Sequence, residues 1–479
     1  MQYTKQLPGA EHYDVIVAGG GPAGIGAGLA ASGAGLKTLL LERGGCLGGM
    51  ATAGALPFIL GTFNGSIPFR KMVAQGLHYA DLPRPERAVD GIYGDLVRTL
   101  QAQGPTFGPA AIPYADRYPG LDRLGCHDEF TFDIEDGKRV LDQMAAAAGL
   151  RVAFFTTAID VDVQDGVLHG LYAHNKEGLH YYTADAFIDC TGDADLVHCA
   201  GFATYKGDRN NGSMAHAGLL AHIEGINLAA LAAYLHDGND PWFYDVCEQA
   251  RAAYPDGDLP TYLIMMPMVQ EGVVMVNGGM SFDNVDGTLE HDVSWLMARA
   301  RARAHDLVTR VFRPFIPGAQ HCRLRLTSSL PGIRETRRIV GLQTLTEEDL
   351  LTGQHFPDTI ALAGRHFDLQ RADGQAFHKK DLQVKGGMTE IPYGALIPEG
   401  ARNLITAGRC IAADGQALGP ARIMSTCMAT GQAAGLAATL KVHGGIDFAD
   451  VDVQALRALL ANARAVIPQE CMEGCERNE

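Results

Sequence analysis

The sequence predicts an α/β protein in which a parallel sheet carries a glycine-rich turn and an α+β unit is inserted after it. The first observation is an apolar run, YDVIVA at 13–18, which is typical of a buried parallel strand and leads directly into a glycine cluster. The second is a small-residue helix followed by another apolar run at 38–41, which gives the order strand, turn, helix, strand. The third is a long middle stretch, 201–391, that lacks glycine clusters of this kind.

Composition and charge limit the classes of protein to which the chain can belong. Its 479 residues are 47% hydrophobic and 20% charged, which is typical of a globular protein and excludes a disordered chain. The net charge of −16 argues against a nucleic-acid-binding surface. The length predicts two or three domains. We assign four segments: the first part of a cofactor-binding domain (1–200), an inserted substrate or cap domain (201–391), a return segment of the first domain (392–445), and a C-terminal helix and tail (446–479).

The glycine cluster at 19–24 has the spacing of a turn that holds a diphosphate. Gly19 allows the tight turn, Gly21 lets backbone N–H groups approach the phosphates, and Gly24 lets the following helix pack close to the strands. The helix presents its free N–H groups and positive dipole end to the phosphates. Glu42 ends the second strand and can accept hydrogen bonds from ribose hydroxyls. The sequence therefore predicts a dinucleotide site, and a glycine-rich turn without a ligand is the alternative.

A second glycine cluster, 44–49, follows the acid directly and continues as Met50, Ala51 and Thr52. The LGGMAT string at 47–52 resembles the FAD-dependent oxidoreductase family, which belongs to the glutathione-reductase-like group of flavoproteins with two dinucleotide-binding domains. The family is also similar to fumarate-reductase flavoproteins and to the flavin subunits of heterodisulfide reductases. The resemblance implies a Rossmann-like FAD-binding domain with an inserted α+β substrate or cap domain, and FAD held non-covalently in an extended pose.

Two later segments return to cofactor-like sequence. Residues 151–189 read as strands joined by hairpin turns, and they end in the string CTGDAD at 190–195, which resembles the family's DATGDAD strand. The string NLITAGRC at 403–410 resembles the family's NLLVAGRC strand, and a small-residue helix is predicted over 425–440. The resemblance assigns the following residues to FAD binding: Gly19, Gly21, Pro22, Ala23, Gly24, Glu42, Arg43, Gly48, Gly49, Met50, Ala51, Thr52, Ala158, Thr191, Gly192, Asp193, Gly408, Arg409, Arg422 and Ile423.

An arginine-rich segment, LPGIRETRRIVG at 330–341, resembles the family's GxRETRRIVG signature. Read as one strand, it places Arg334, Thr336 and Arg338 on the same face. Guanidinium groups suit a carboxylate, a phosphate or the negative charge of a reduced flavin, so Arg334 and Arg338 are candidate catalytic residues. A buried Arg–Glu network that braces two domains is the alternative.

Three histidines are candidates for proton exchange near neutral pH, namely His127, His216 and His366. For each of them a packing or surface role is the alternative. Gln370 stands where the family often has a histidine, so any chemistry that depends on that histidine is absent here.

The cysteines predict neither a dithiol relay nor a metal site. Cys46 follows the ribose acid, but position 51 is alanine, so a Cys-x4-Cys pair is excluded there. Cys46 alone is a reactive thiol beside the cofactor or simply part of a glycine-rich loop. Cys471 and Cys475 have no histidine nearby, and we expect them to belong to a frayed tail.

These signals predict an FAD-dependent oxidoreductase that transfers a hydride between flavin N5 and a small polar or anionic organic substrate. The alternatives are a flavin-containing electron-transfer subunit of a larger redox complex, an FAD-dependent C=C reductase similar to fumarate-reductase flavoproteins, and a protein that keeps FAD as a structural ligand. The absence of Cys-x2-Cys-x2-Cys spacing favours a self-contained enzyme. A second GxGxxG motif is also absent, so a separate NAD(P)H domain is not expected.

The expected partner is a small molecule, without nucleic acid or membrane. A homo-oligomer and an external electron acceptor both remain open. The first ten residues lack an apolar core, and no uninterrupted apolar run approaches the roughly 20 residues that span a bilayer. We therefore expect a soluble, cytoplasmic protein.

Overall fold

The protein is described from a computed structural model that covers residues 10–63, 86–108, 112–124, 130–209, 212–365 and 384–468. The strands of this structure, in chain order, are β1 (Glu11–Ala18), β2 (Thr38–Leu41), β3 (Phe58–Ile59), β4 (Thr106–Phe107), β5 (Phe130–Phe132), β6 (Arg151–Ala153), β7 (Thr157–Gln164), β8 (Val167–Asn175), β9 (Gly178–Asp189), β10 (Thr204–Lys206), β11 (Ala217–Gly218), β12 (Ala221–Glu224), β13 (Ile264–Pro267), β14 (Val273–Gly278), β15 (Ser281–Phe282), β16 (Arg323–Thr327), β17 (Gly332–Ile333), β18 (Arg337–Ile339), β19 (Thr359–Ala363), β20 (Thr389–Pro392) and β21 (Leu404–Thr406).

The helices are α1 (Pro22–Gly33), α2 (Ile92–Gln103), α3 (Ile134–Ala147), α4 (Asp195–Cys199), α5 (Leu228–His236), α6 (Tyr244–Ala253), α7 (Glu290–Asp306), α8 (Arg313–Phe315), α9 (Glu347–Thr352), α10 (Leu418–Ala421), α11 (Met424–Gly444) and α12 (Val453–Asn462). A π-helical turn, Leu307–Phe312, joins α7 to α8. Short 3-10 turns lie at Gly49–Ala51, Leu121–Arg123, Tyr393–Leu396, Gly415–Ala417 and Phe448–Asp450.

The central sheet confirms the predicted α/β class. Its strand order is β6-β2-β1-β9-β8-β7, and β21 pairs with the last residues of β9. Strand β1 runs parallel to both of its neighbours, with Val15 beside Thr38 of β2 and beside Ala186 of β9. Because β1, β2, β9 and β21 are parallel, their carboxyl ends meet at one edge of the sheet, which is where ligands bind in open α/β sheets.

The predicted hairpins extend this sheet on one side. Strands β7, β8 and β9 pair antiparallel in sequence order. The turn between β7 and β8 consists of Asp165 and Gly166, which both have positive φ angles, 50° and 79°. Two left-handed residues in a two-residue loop give the turn that matches the twist of the flanking strands.

Helices α1 and α11 pack against each other through small residues, as the composition of both segments predicts. A Cβ atom on Gly431 would lie 2.0 Å from the backbone oxygen of Ala23, and one on Gly26 would lie 2.3 Å from that of Met428. Larger residues at this crossing would therefore push the helices apart. The close contact fixes the N-terminus of α11 near that of α1.

The second unit has a separate hydrophobic core. It contains a four-stranded antiparallel sheet, β13-β14-β12-β16, and a three-stranded sheet, β15-β11-β17. Helix α7 and the π-helical turn that follows it bury Leu296, Ala300 and Leu307 in this core.

Part of the segment 339–391, which the sequence analysis assigns to the inserted domain, packs with the central sheet. Residues such as Ile339, Ile360 and Ile391 are buried in the first core, together with the central sheet. The segment between them lacks the glycine motifs that mark the first domain, so its sequence does not show where its side chains pack. The division into four domains remains a prediction.

The arginine-rich segment does not form the single strand that the sequence analysis expects, and that expectation is wrong. The segment forms two short strands, β17 and β18, which pair with β11 and β10 respectively. Residues 334–336 between them turn from one sheet to the other. Because the strand is interrupted, Arg334 and Arg338 do not share a face.

His222 joins the two units and makes their contact sensitive to acid. Its Nε2 lies 2.9 Å from the backbone oxygen of Ala55, in the loop that precedes β3. Burial lowers the pKa of His222 to about 4, and Arg325 acts in the same direction. The imidazole is therefore neutral near pH 7 and donates its Nε2 proton to Ala55.

We expect the His222 contact to weaken the protein in acid. A histidine whose pKa is lower in the folded than in the unfolded state contributes its full stabilisation above the unfolded pKa, about 6.5. That contribution is lost as the pH falls toward 4, which lowers the free energy of unfolding by as much as about 3 kcal/mol. The melting temperature with excess FAD should therefore fall between pH 7 and pH 5 by less in His222→Gln than in the wild-type protein. Equal falls would contradict the assignment, and the exposed His291→Gln is the matched control.

Among the helices that the structure describes, none combines the length and the apolar character that a membrane crossing requires.

Candidate functional site

One cavity of about 670 Å³ lies at the carboxyl edge of the central sheet and continues into the second unit. On the sheet side it is lined by the glycine turn, by the ends of β2 and β9, and by the start of α11. On the other side it is lined by β13, β14 and the segment 330–334. The same space therefore contacts both the predicted cofactor segments and the second unit.

The glycine turn forms a cradle with room for a ligand. Gly19 has a φ angle of +98°, and its N–H donates to the Leu41 carbonyl, which sets the tight turn between strand and helix. A Cβ atom on Gly24 would lie 1.7 Å from the backbone oxygen of Gly19, so only glycine lets α1 begin so close to the turn. A Cβ on Gly21 would meet no atom within 4 Å, apart from its chain neighbours. The cavity is therefore open where phosphates are expected to approach the backbone.

The second glycine cluster packs on the first. The N–H of Gly48 donates to the Gly20 carbonyl at 2.9 Å, and Gly48 itself has a left-handed φ angle of 107°. The 3-10 turn that follows brings Gly49 against Gly21. Thr52 closes this turn, since its hydroxyl donates to the Leu47 carbonyl at 2.5 Å.

Glu42 is held at the cavity wall by backbone N–H groups. One carboxylate oxygen accepts from Gly20 at 2.7 Å and the other from Gly44 at 2.5 Å. The residue is only 8% exposed, yet its carboxylate lines the cavity. A carboxylate has about four acceptor positions, so Glu42 can accept further hydrogen bonds from ribose hydroxyls while both amides stay bound. Beside it, Thr156 and Ala158 of the neighbouring hairpin complete this end.

A buried aspartate orders the loop after β9. The Asp189 carboxylate accepts hydrogen bonds from the N–H and hydroxyl of Thr191 and from the N–H groups of Leu196 and Val197. Burial raises the pKa of Asp189 to about 6, and nearby Asp195 adds to the increase. The loop that lines the cavity is thus held from beneath by a fully buried carboxyl group.

An ion-pair network surrounds the exposed side of this loop. Asp193 pairs with Arg409 at 2.8 Å and accepts a hydrogen bond from the Thr336 hydroxyl at 2.6 Å. Burial alone would raise the pKa of Asp193, but Arg409 and Thr336, with Arg43 nearby, lower it overall. Burial and Asp193 together raise the pKa of neighbouring Asp195.

The described lining of the cavity is rich in cations. It includes three acidic residues, Glu42, Asp193 and Asp195. The arginines that line it are Arg43, Arg123, Arg334, Arg365, Arg409 and Arg422. Since the whole chain has a net charge of −16, this concentration of arginine is specific to the cavity and suits an anionic ligand.

A further part of the cavity lining is apolar, and we call it the apolar wall. It comes from the segment 50–60, from the loop 219–220 and from the sheet of the second unit. Its members are Met50, Leu56, Phe58, Leu60, Leu219, Leu220, Trp242, Tyr262, Ile264, Met265, Met266 and Met280.

The structure brings most of the residues assigned to FAD binding to this one cavity. Gly24, Gly48, Ala51 and Thr52 do not line it and instead support the two glycine turns from behind. The residues that do line it are Gly19, Gly21, Pro22, Ala23, Glu42, Arg43, Gly49, Met50, Ala158, Thr191, Gly192, Asp193, Gly408, Arg409, Arg422 and Ile423.

The candidate catalytic residues are separated. Arg334 lines the cavity, where it donates to the His216 carbonyl at 3.0 Å and lies 3.5 Å from the Asn277 side-chain oxygen. His216 itself lies behind Arg334, and its ring Nε2 is 2.9 Å from Asp283. His127 and His366 lie outside the described residues, as do Gln370, Cys471 and Cys475.

Arg338 does not line the cavity, in contrast to the expected pairing with Arg334. Its guanidinium is fully buried and contacts Glu335 at 2.9 Å. It also donates to the carbonyls of Gly207 and Ala413 and lies over the Tyr205 ring. These contacts match the bracing alternative for Arg338, whereas Arg334 keeps the position expected of a ligand-binding arginine.

Sequence reasoning missed two thiols at the cavity, Cys190 and Cys427. Burial raises the pKa of Cys427 to about 12 and raises the pKa of Cys190 well above its ordinary value, so both are neutral thiols near pH 7. Cys46 lies elsewhere, in a surface groove beside α3, with its sulfur 3.7 Å from the Thr52 hydroxyl.

Sequence reasoning also missed Arg123, Arg365 and the apolar wall apart from Met50. These residues come from distant segments without a recognisable motif, and isolated apolar residues in a sequence are more often core than site. The enrichment of methionine between 264 and 280 was the one signal that could have drawn attention to the wall.

Comparison with known proteins gives one family and a broad set of structures. The model of a family described as FAD dependent oxidoreductase matches residues 14–460. None of the curated proteins matches the chain.

Among solved structures, the chain is similar to a geranylgeranyl bacteriochlorophyll reductase-like protein from Thermoplasma acidophilum, with a TM-score of 0.45 and 14% identity over 95% of this chain and 84% of that one. It is also similar to the myxobacterial chondrochloren halogenase CndH, with a TM-score of 0.44 and 12% identity over 95% of this chain and 79% of that one. For p-nitrophenol 4-monooxygenase PnpA from Pseudomonas putida DLL-E4, the TM-score is 0.40 and the identity 11%, over 97% and 83% of the two chains.

Proposed function

Because the chain belongs to the family of FAD dependent oxidoreductases, enzymes whose cofactor is FAD, we propose that it transfers a hydride between FAD and an organic substrate that carries an anionic group. The observation that carries the proposal is the continuity of the cavity, which joins the glycine cradle to Arg334 and the second unit without an intervening wall. A substrate bound there lies in the same enclosed space as the cofactor.

The residues around the cradle fit FAD by their chemistry. The N-terminus of α1 and the open backbone at Gly21 offer N–H groups and positive potential to a diphosphate. Glu42 offers carboxylate oxygens to ribose hydroxyls. Arg409 and the N-terminus of α11 also line the cavity, and their positive potential suits the polar edge of the flavin ring.

When bound, FAD would supply a ring that takes up a hydride at N5 as the substrate loses that hydride and one proton, or that returns the hydride in the reverse direction. The protein's own contribution is to position the substrate and to exclude water. Arg334 is held by the His216 carbonyl and by Asn277, so its guanidinium has a fixed direction in which to meet an anionic group. Fixing that group orients the carbon that exchanges hydride, and the apolar wall keeps water away from it.

Anaerobic mixing tests the proposal directly. Holoenzyme, purified with FAD, is mixed in a stopped-flow instrument with a panel of hydroxy, amino and saturated carboxylic acids and their esters. At least one acid should bleach the flavin absorbance, and deuterium at the reacting carbon should slow the bleaching. A flavin that exchanges electrons only with one-electron carriers would overturn the proposal and favour an electron-transfer subunit. A flavin that no reductant or acceptor reaches would favour a structural ligand.

The Arg334→Leu variant should lose substrate affinity while keeping its flavin potential. Removal of a charge-assisted hydrogen bond costs about 1.5–3 kcal/mol, which corresponds to roughly a 10- to 100-fold higher KM for the acid. The flavin midpoint potential, measured by equilibration with a reference dye, should match that of the wild-type enzyme.

A lowered potential in Arg334→Leu would instead show that Arg334 stabilises the reduced cofactor, as the sequence analysis also allowed. Arg334→Lys should restore part of the affinity, because it restores the charge without the planar fork. Arg323→Leu is the matched control, since Arg323 is exposed on β16 and pairs with Glu224 outside the cavity.

A further inference from the structure

The apolar wall offers surface that a small polar acid has no apolar body to cover. Its partly exposed members are Met50, Leu56, Leu60, Trp242, Tyr262 and Ile264. A ligand that left this surface in contact with water would forgo the favourable burial of apolar area, about 25 cal/mol per Å². The composition of the wall therefore indicates a ligand with an apolar body of matching extent.

Methionines recur among the described residues that border the cavity. These are Met50, Met265, Met266, Met280 and Met424, of which Met50 and Met424 are partly exposed and the other three are buried. Met50 and Met266 also pack into a small apolar cluster between the two units, with Phe58 and Leu220. Methionine side chains are unbranched and polarisable, so such a surface adapts to apolar ligands of varied shape.

Charge restricts the ligand further. Of the acidic side chains that line the cavity, Asp193 pairs with Arg409, and Asp195 pairs with Arg337 at 2.5 Å. The lining contains six arginines, against its three acidic side chains and the two negative charges of an FAD diphosphate. Arg334 lies next to the apolar wall in the lining, because β17 pairs with β11 at Gly218, beside Leu219 and Leu220.

Resting on the proposed function, we propose that the substrate is an amphipathic acid: one anionic group held at Arg334 and an aliphatic or aromatic body that covers the apolar wall. A carboxylate and a phosphate monoester share the chemistry that Arg334 recognises. The sequence analysis expected a small polar or anionic substrate, and the apolar wall changes the expected size and polarity of the part beyond the anionic group.

The two tryptophans allow a direct binding test. Trp242 lines the cavity, whereas Trp295 is 49% exposed on α7 and does not line it. In Trp295→Phe holoenzyme, the remaining tryptophan fluorescence therefore reports on the cavity. The probes are butanoate, hexanoate, octanoate and decanoate, 1-naphthoate, the matching alcohols, and decyl phosphate, all below their critical micelle concentrations.

The affinity for the carboxylates should rise about three- to fourfold for each added methylene, because burial of one methylene is worth about 0.8 kcal/mol. Decanoate should bind at least 10-fold more tightly than decanol, and Arg334→Leu should abolish that preference. If decyl phosphate binds more tightly than decanoate, the anionic group of the substrate is a phosphate monoester. If decyl phosphate binds more weakly, the anionic group is a carboxylate. Affinity that is independent of chain length, or equal for acid and alcohol, would overturn the proposal.

Variants of the wall separate a specific site from general hydrophobic binding. Leu60 lines the cavity and is only partly buried, so Leu60→Asn should weaken decanoate binding and leave butanoate binding unchanged. Leu342→Asn, at an exposed leucine away from the cavity, is the matched control. Equal loss of decanoate affinity in both variants would overturn the assignment of the apolar wall as the binding surface. In the Trp295→Phe holoenzyme, Trp242→Phe should remove the tryptophan fluorescence signal itself.

A failure of the amphipathic-substrate proposal can be distinguished from a failure of the proposed hydride transfer. If long acids bind with the expected length dependence but none of them reduces the flavin, the binding site stands and hydride transfer fails. If a small acid reduces the flavin and longer acids bind no better, hydride transfer stands and the amphipathic substrate fails.

Discussion

The Gly24→Ala variant is expected to be purified without FAD and to bind added FAD at least about 100-fold more weakly than the wild-type protein. A Cβ atom at this position would lie 1.7 Å from the backbone oxygen of Gly19, so the turn and the first residues of α1 cannot both keep their positions. Overfilling a packed contact costs about 1–3 kcal/mol, and each charge-assisted hydrogen bond lost from the diphosphate costs about 1.5–3 kcal/mol. The flavin-to-protein absorbance ratio after gel filtration and a fluorescence titration with FAD measure both effects.

Two further alanine variants distinguish a damaged fold from a blocked ligand. Gly33→Ala, at the exposed end of the same helix, meets no atom within 4 Å and should leave FAD affinity unchanged, with a gain in stability of up to about 1 kcal/mol. Gly21→Ala should fold like the wild-type apoprotein, because its Cβ also meets no protein atom, but should bind FAD more weakly, because the Cβ occupies ligand space. Full FAD occupancy in both Gly21→Ala and Gly24→Ala would contradict the placement of the diphosphate at this turn.

The sequence predicts the cradle well because its constraints are local. The turn at Gly19 needs a left-handed residue, and the approach of α1 at Gly24 needs the absence of a side chain, so both requirements are written as glycine within a few positions. Glu42 follows from the end of β2 in the same way. Strand, turn and helix are all set by neighbours in the chain, which a sequence displays directly.

The apolar wall could not be predicted, because its members meet only through the tertiary fold. Leu60 is far in the sequence from Leu219, Ile264 and Met280, yet all four line one cavity. Each is an ordinary apolar residue in a short strand or loop, and nothing in its own surroundings in the chain distinguishes a wall residue from a core residue. The apolar part of the cavity therefore emerges only once β11, β13 and β14 are placed.

The arginine segment shows how an interrupted strand misleads a periodicity argument. Alternation along 330–341 places Arg334 and Arg338 together only if the strand is continuous. The break between β17 and β18 lets each half join a different sheet, so Arg334 faces the cavity and Arg338 the interior. The pairing partners Gly218 and Tyr205 lie more than a hundred residues earlier in the chain, so the break has no local signal.

The Arg338→Met variant is expected to lower the free energy of unfolding by about 3–5 kcal/mol while FAD content and flavin potential in the surviving folded protein stay unchanged. Arg338 and Glu335 are both fully buried and form an ion pair at 2.9 Å, and Glu335 also accepts a hydrogen bond from the Ala215 N–H. Removing one member of a buried ion pair is strongly destabilising, because the other charge stays buried without it. Urea denaturation of the holoenzyme at a fixed excess of FAD measures the loss.

The double variant Glu335→Gln, Arg338→Met should recover part of that stability, because it also removes the buried carboxylate charge, and Gln still accepts from Ala215. Arg323→Met, at an exposed arginine whose side chain is 75% accessible, should change stability by less than about 1 kcal/mol. A double variant less stable than Arg338→Met alone would show that Glu335 keeps another partner in the absence of Arg338. A shift in flavin potential with unchanged stability would return Arg338 to the redox site and reject its role as a brace between the loop at Ala413 and strand β10.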